Sequence, residues 1–460
     1  MEQTLKHLRA NRAANLETLK RYLEFPSVSA NPQRAGDISR CADFTAKLLK
    51  QAGLDEVAVH PTPGHPLVTA AWRGAPGKPT VLIYGHYDVQ PEDPLDAWEQ
   101  PPFAPWIKND RIIARGSADD KGQILMHIQA IEAMRRENRP LPVNVVFLIE
   151  GEEEIGSPNL PPFIQTHQKD LQADICLVSD SAMWSTEIPA ITMGLRGLVV
   201  MEVTVTGPSL DLHSGTYGGA VANPLEALSR MIASLKDDQG RIQVPGFYDR
   251  VQPITEAERR DLEEIPFDEK AYLKKIGLDI GWGEEGHTLL EQLWYRPTLE
   301  INGLWGGFTG AGIKTVLPSQ AHAKITLRLV PDQDPAEMAD LVLEHLRRIA
   351  PPWVSVEANR LPGGGSAVVV PREIPAMAAA TQALTESFGH KPLFIREGGS
   401  IPVVAEFKNL LNAYTLLIGF SPPNAKTHSP NENFHLPTFH TGTESLVRLL
   451  HHLGEQNPSA

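Results

Sequence analysis

The chain is predicted to be an α/β protein, with a mainly parallel-sheet domain interrupted by an inserted α+β, ferredoxin-like domain. Three patterns lead to this reading. The first is the alternation of the apolar run "TVLIYGH", the helical pattern "DKGQILMHIQAIEAMRREN" and the further runs "VNVVFLIEGEEE" and "ADICLVSD". Strand, helix, strand in that order builds a parallel sheet with helices on its faces. The second is a change of period near Gly194. "GLVVMEVTVTG" alternates with period two and precedes the helix "NPLEALSRMIASLKD", the strand "SQAHAKITLRLVP", the helix "PAEMADLVLEHLRRIA" and the strand "WVSVEANRL". Two helices interleaved with antiparallel strands suggest a β-α-β-β-α-β layer. The third is a return, after "LPGGGSAVVVP", to the helix "REIPAMAAATQALTESFG", the strand "AYTLLIGF" and the helix "GTESLVRLLHHLG". The expected boundaries are 1–193 with 366–460 for the first domain and 194–365 for the insert. The Gly-, Pro- and Trp-rich stretch from about 240 to 318 carries no predicted fold.

At 460 residues the chain is longer than one hydrophobic core usually supports. Its 42% hydrophobic and 21% charged residues are those of a soluble globular protein, and its 39 prolines and 36 glycines indicate turns rather than disorder. The formal net charge of −14 disfavours nucleic-acid binding, which needs clustered basic surface. Small molecules or peptides are the expected ligands. Two cysteines, Cys41 and Cys176, are too few for a disulfide scaffold or a Cys-based zinc site and fit a reducing compartment. The opening "MEQTLKHLRANRAANLETLKRYLEF" reads as a surface helix rather than a secretion signal. No run approaches the roughly 18 apolar residues of a spanning helix. The expectation is a cytoplasmic protein without membrane association.

In an α/β sheet, functional residues gather where loops leave the carboxyl ends of the strands. Here those ends read "GHYD", "EGEEE" and "SDS". His86 is a candidate nitrogen ligand and Asp88 a partner for its other ring N–H, although taken alone the pair favours a capped turn. Asp119 and Asp120 precede a helix and resemble plain caps, while Gly116 and Gly122 beside them hint at a constrained backbone. Glu150, Glu152, Glu153 and Glu154 fall within five positions, where like charges repel unless cations or an exposed loop accommodate them. Asp180 ends another strand, where an aspartate often marks a turn, and His428 lies in the polar loop "NAKTHSPNENFH". A catalytic site for two divalent cations needs carboxylates, neutral imidazoles, a bridging carboxylate and a further one free to accept a proton. Taken together, these strand-end and loop residues supply that set.

The motifs "GHYDVQP", "RGSADDKG", "EGEEEIGS", "SDS", "DLHSGTYGG", "GAGIKTVLP", "LRLVP", "REGGSIP" and "AKTHSPNE" run in this order from about residue 81 to 433. The sequence thereby resembles the M20 metallopeptidases, and within them the dipeptidase branch that contains carnosinases and cytosolic non-specific dipeptidases. The resemblance implies a zinc-peptidase-like catalytic domain with an inserted lid and dimerisation domain. It implies that His86 and Asp180 bind one metal ion, that Glu154 and His428 bind the other, and that Asp119 bridges them. Glu153 becomes the general base, Asp88 the orienter of His86, and the Asp119–Asp120 peptide is expected to be cis. A register shifted by one, with Glu152 as base and Glu153 as ligand, stays open, although the following "IGS" favours the first assignment.

In the insert, His213 is similar to a family histidine that reaches across a dimer to polarise the substrate carbonyl, as an oxyanion donor does. Arg328 corresponds to the residue that binds the substrate carboxylate, where a planar guanidinium suits bidentate pairing. Thr315, Gly399 and Ser400 match positions at the substrate's C-terminal end. The implied activity is hydrolysis of dipeptides with a free C-terminal carboxylate, using two Zn²⁺ or Mn²⁺ ions in a homodimer formed through the insert. An N-acyl amino acid deacylase or N-carbamoyl amino acid hydrolase on the same site is the alternative. A non-catalytic binding protein on a degenerate hydrolase fold would lack a ligand or the base, and none is missing.

Overall fold

The computed structural model describes residues 1–399 and 401–456. The chain divides into two compact units, one of Met1–Met193, Val370–Ile395 and Glu406–Ala460, the other of Gly194–Val369 and Arg396–Ala405. The short segment Arg396–Ala405, which the sequence reading leaves with the first domain, thus packs with the insert.

In the first unit, Thr80–His86 lies between Asn144–Glu150 and Ile175–Val178, parallel to both, and Tyr414–Leu417 extends the parallel set beyond Ile175–Val178. Leu67–Trp72 and then Ala58–His60 continue the other side antiparallel. Val81, Leu82, Ile83 and Tyr84 are all essentially inaccessible, so both faces of the central strand are covered. This is why the strand reads as an unbroken apolar run rather than an alternating one. The helices Ala35–Gln51, Lys121–Arg135, Pro375–Phe388 and Leu436–Glu455 share one core with the face of Val81 and Ile83, while Tyr84 on the other face meets Phe407 of the helix Pro402–Leu411 edge-on. The N-terminal stretch forms two helices, Glu2–Ala10 and Arg12–Leu23, which bury Leu5, Leu8, Leu19, Tyr22 and Leu23. Cys41 and Cys176 are buried free thiols. Among the described residues no helix is long and apolar enough to cross a membrane.

The second unit holds a four-stranded antiparallel sheet in the order Thr298–Gly306, Gln320–Leu329, Gly197–Thr206, Ser355–Arg360. With the helices Pro224–Ala233 and Pro335–Ile349 between its strands, it has the predicted β-α-β-β-α-β connectivity. Period two assigns the faces: Val199, Met201, Val203 and Val205 pack with Ala321, Ala323, Ile325 and Leu327 in a core that both helices join. The neighbouring positions, among them Thr326 and Arg328, belong to the other face. The stretch left unassigned from the sequence contains the helices Glu256–Glu264, Glu269–Lys275 and Leu289–Trp294 as well as the edge strand. Thr255 with Glu258 and Thr288 with Glu291 form capping boxes that start two of these helices. The Thr-x-x-Glu spacing was a readable start signal, obscured by the short length of each helix.

Candidate metal centre

His86 is the last residue of the central strand, and its ring is fully buried. Its Nδ1 lies 3.1 Å from the Asp88 carbonyl oxygen and 3.4 Å from Asp88 Oδ1. A carbonyl oxygen only accepts, so Nδ1 donates and Nε2 faces the cluster. There Nε2 stands 3.1 Å from Asp119 Oδ1 and 3.9 Å from Asp180 Oδ2. The second carboxylate oxygen of Asp119 lies 2.8 Å from His428 Nε2, which in turn is 3.5 Å from Glu154 Oε2.

Two ligand groups result, His86–Asp119–Asp180 and Asp119–Glu154–His428, each with its donor atoms within 4.8 Å of one another. Asp119 belongs to both, one oxygen towards each histidine. Two imidazoles and three carboxylates suit a borderline-hard divalent ion such as Zn²⁺, Mn²⁺ or Co²⁺. The donor set therefore fits a pair of cations. In the bare protein, burial opposes charge on His86, but hydrogen bonds to Asp119 and Asp88 raise its pKa well above the ordinary value. Burial would likewise raise the Asp119 carboxyl, yet the two histidines pull it far below the carboxylate range. A cation between these groups would take over the role of those protons.

The turn that carries Asp119 is built from several sides. Its peptide bond to Asp120 is cis, as the resemblance implies. Gly116 has φ +83°, and a Cβ on Gly122 would lie 1.9 Å from the Ser117 carbonyl oxygen, so only glycine lets the helix Lys121–Arg135 begin so close to the loop. The buried Glu432 carboxylate accepts the backbone N–H groups of Gly116, Ala118 and Asp119 at 2.9, 2.8 and 3.1 Å. It also accepts Arg115 Nη1 at 2.9 Å. Asp120 faces inward, its Oδ2 accepting the His86 N–H at 3.2 Å, and burial raises its pKa well above normal.

The four acids at the end of the strand Asn144–Glu150 and just beyond it have different environments. Glu150 accepts the Tyr84 hydroxyl and the Ser157 hydroxyl at 2.6 and 2.9 Å. Glu152 accepts the His65 N–H at 3.0 Å and the Asn159 amide. Glu154 stands in the ligand group, its Oε2 also accepting Gln90 Nε2 at 2.7 Å. Glu153 opens the short turn Glu153–Ile155; burial, reinforced by Asp180 and Glu154 and opposed by His86, raises its pKa well above normal. The two oxygens of Asp88 accept the N–H groups of Glu153 and Glu154 at 3.2 and 3.1 Å. One aspartate thus aligns both the histidine loop and the acidic loop. Gln90 and Glu432 escaped the sequence reading although both lie inside quoted motifs, because a single Gln or Glu carries no ligand pattern of its own.

In the second unit, His213 ends the strand Leu212–His213, which pairs with Val316–Leu317. Its Nδ1 accepts the Gly215 N–H at 3.1 Å, which leaves the proton on Nε2, and Thr315 Oγ1 lies 3.5 Å from that nitrogen. Both side chains are exposed. Arg328, half-buried, lines a cavity of about 510 Å³ between its sheet face and the helix Leu289–Trp294. The Gly399 carbonyl accepts the Arg196 N–H at 3.1 Å. Ser400 lies outside the described residues.

Residues 82–452 match the peptidase family M20/M25/M40. A Cys-Gly metallodipeptidase of Candida albicans is 32% identical over 96% of this chain and 94% of its own length. The human Beta-Ala-His dipeptidase is 30% identical over 96% of this chain and 91% of its own. Among solved structures, a dipeptidase of Saccharomyces cerevisiae superposes with a TM-score of 0.85 at 29% identity, covering 99% of this chain and 98% of that one. An M20 metallo-carboxypeptidase of Sulfolobus solfataricus gives 0.86 at 32%, covering 96% and 99%.

Proposed function

The chain belongs to peptidase family M20/M25/M40 and is a metallopeptidase, and on that premise we propose that it hydrolyses dipeptides with a free C-terminal carboxylate at a dinuclear centre. The observation that carries this reading is the pair of ligand groups sharing Asp119. His86, Asp180, Glu154 and His428 complete the two sites, for two Zn²⁺ or Mn²⁺ ions. Bound divalent cations supply Lewis-acid polarisation of the scissile carbonyl and acidify the attacking water.

The remaining work falls to side chains. Glu153 takes a proton from the attacking water and returns it to the leaving amine, a role supported by its place beside Asp180 and the ligand Glu154. Asp88 holds His86 in one tautomer and fixes the turn on which Glu153 stands. His213, with its proton on Nε2, donates to the carbonyl oxygen across a homodimer formed through the second unit. Arg328 binds the substrate carboxylate bidentately, with Thr315, Gly399 and Ser400 around the same end. The compartment is cytoplasmic, in keeping with two free thiols.

The test is a panel of free dipeptides assayed with added Mn²⁺ or Zn²⁺, with metal content measured on the same sample. Hydrolysis that needs metal, with two ions per chain and preference for a dipeptide over the matching N-acetyl amino acid, is the expected result. Turnover unchanged after chelation would overturn it, and preference for the N-acetyl or N-carbamoyl amino acid would support the deacylase reading instead. Full activity in a monomer would remove the dimer from the proposal.

A further inference from the structure

The second unit contains an arginine that the motif reading passes over. Arg196 sits at the crossing into the insert, immediately before the strand Gly197–Thr206, and is only 9% exposed. Its polar atoms hold backbone: the N–H donates to the Gly399 carbonyl at 3.1 Å, Nε to the Gly398 carbonyl at 3.2 Å and Nη1 to the Arg296 carbonyl at 3.3 Å. The fit is tight. A Cβ on Gly398 would lie 2.6 Å from Arg196 Nη2 and 3.1 Å from the Leu293 carbonyl oxygen, so the turn approaches the guanidinium as closely as it does only because that residue is glycine.

Arg196 and Arg328 also line the same cavity of about 510 Å³. Arg328 pairs in register with Leu198, two residues beyond Arg196, which brings the two side chains to one face of the sheet. Burial, and then the nearby charge of Arg328, lower the Arg196 pKa to about 10. The lining also holds Lys236 paired with Glu300 and Arg296 paired with Glu284, so the guanidiniums of Arg196 and Arg328 leave the cavity with an excess of positive charge, which favours an anionic group. The wall behind them is braced, since Arg296, whose carbonyl receives Arg196, is gripped through its own guanidinium by Glu284 at 2.8 and 2.7 Å.

We propose that Arg196 is a positioning residue for substrate recognition, clamping the Gly398–Gly399 turn and placing a second positive charge beside Arg328 for the ligand's carboxylate. This rests on the dipeptidase reading, in which Arg328 and Gly399 meet the C-terminal end of the substrate. A guanidinium is required for two reasons. Its planar fork reaches two carbonyls at once, and its charge stays on when buried, neither of which lysine or glutamine reproduces together.

The test uses the metal-loaded full-length protein with Arg196→Lys, Arg196→Gln and Gly398→Ala, assayed on a dipeptide and on its C-terminal amide. The expected result is a KM for the free dipeptide raised about tenfold or more, with kcat within about threefold and a smaller preference for carboxylate over amide. Arg196→Lys retains charge but not the fork and should lie between wild type and Arg196→Gln. Gly398→Ala displaces the guanidinium without removing it and should show the same KM signature. Unchanged KM and unchanged preference in folded variants would overturn the proposal, as would an effect confined to melting temperature, which is what packing alone would produce. Should Arg196→Gln not fold, the other two variants decide. A wild-type protein that cleaves dipeptides but shows no preference for the free carboxylate would sink the role of Arg328 itself, a failure distinct from that of Arg196.

Discussion

Glu432 accepts the backbone N–H of Asp119 at 3.1 Å across 313 residues of sequence, and so ties the residue shared by both ligand groups to a buried carboxylate from the far end of the chain. The same carboxylate pairs with Arg115, and both side chains are about 1% exposed. Removing one partner of such a pair leaves the other as a buried charge, typically at a cost of about 3–5 kcal/mol. Glu432→Ala should therefore lose stability of that order in urea unfolding, and also lose metal. Glu432→Ala combined with Arg115→Met should recover part of the stability but not the metal affinity, because the Asp119 N–H remains without its acceptor. Recovery of both would show that Glu432 acts only through Arg115.

Asp119 faces His86 with one oxygen and His428 with the other, whereas Asp180 and Glu154 each belong to one group. Asp119→Ala should therefore depress occupancy at both positions, with Asp180→Ala and Glu154→Ala each losing about one ion while the second remains measurable. Elemental analysis of the purified variants reads this directly. Equal losses in all three would mean that the sites fill only as a unit.

Glu153 and Glu152 are adjacent but differently placed, the first half-buried beside Asp180 and Glu154, the second buried and hydrogen-bonded to His65 N–H and Asn159. Glu153→Gln should lower kcat by about 10²–10⁴ with metal content intact. Glu152→Gln should change kcat by no more than a few-fold and cost about 1 kcal/mol of stability. The reverse pattern would restore the shifted register.

His127 lies inside the helix Lys121–Arg135, 2% exposed, with Nε2 2.8 Å from the Ser179 hydroxyl. Burial lowers its pKa from 6.5 to about 3. With the folded-state pKa depressed, the unfolded chain takes up a proton first as pH falls. The stabilisation is complete above about pH 6.5 and is lost progressively towards pH 3, with a slope of up to about 1.4 kcal/mol per pH unit. His127→Gln should flatten this limb in denaturation curves collected from pH 7 to 4. An unaltered limb would assign the acid sensitivity to other groups.

Legibility along the chain followed the range of the forces involved. The parallel strands were readable because a strand covered on both faces must be apolar throughout, and the acids at their ends stood out as polar breaks in those runs. Helices as short as Leu289–Trp294 were not, since a six-residue helix has too few turns to show a period and depends on its cap and on tertiary packing. Gln90, Glu432 and Arg196 were missed for a related reason. Each acts through a hydrogen bond to a partner distant in sequence, and that leaves no local trace.

The sequence by itself determined the fold class, the order of the main strands and helices outside residues 240–318, and which residue types were available at the strand ends, because periodicity and composition are local properties that burial imposes on long elements. Only the tertiary structure decided which of those residues meet. His86 and Asp119 are 33 residues apart, and His428 and Asp119 are 309. Their convergence within a few ångströms depends on how the sheet is ordered and how the Asp119 turn is held, and both result from packing across the whole chain. The acidic run shows the division most clearly: four glutamates of one chemical type end a single strand and continue past it, and three-dimensional neighbours alone give Glu150, Glu152, Glu153 and Glu154 their separate environments.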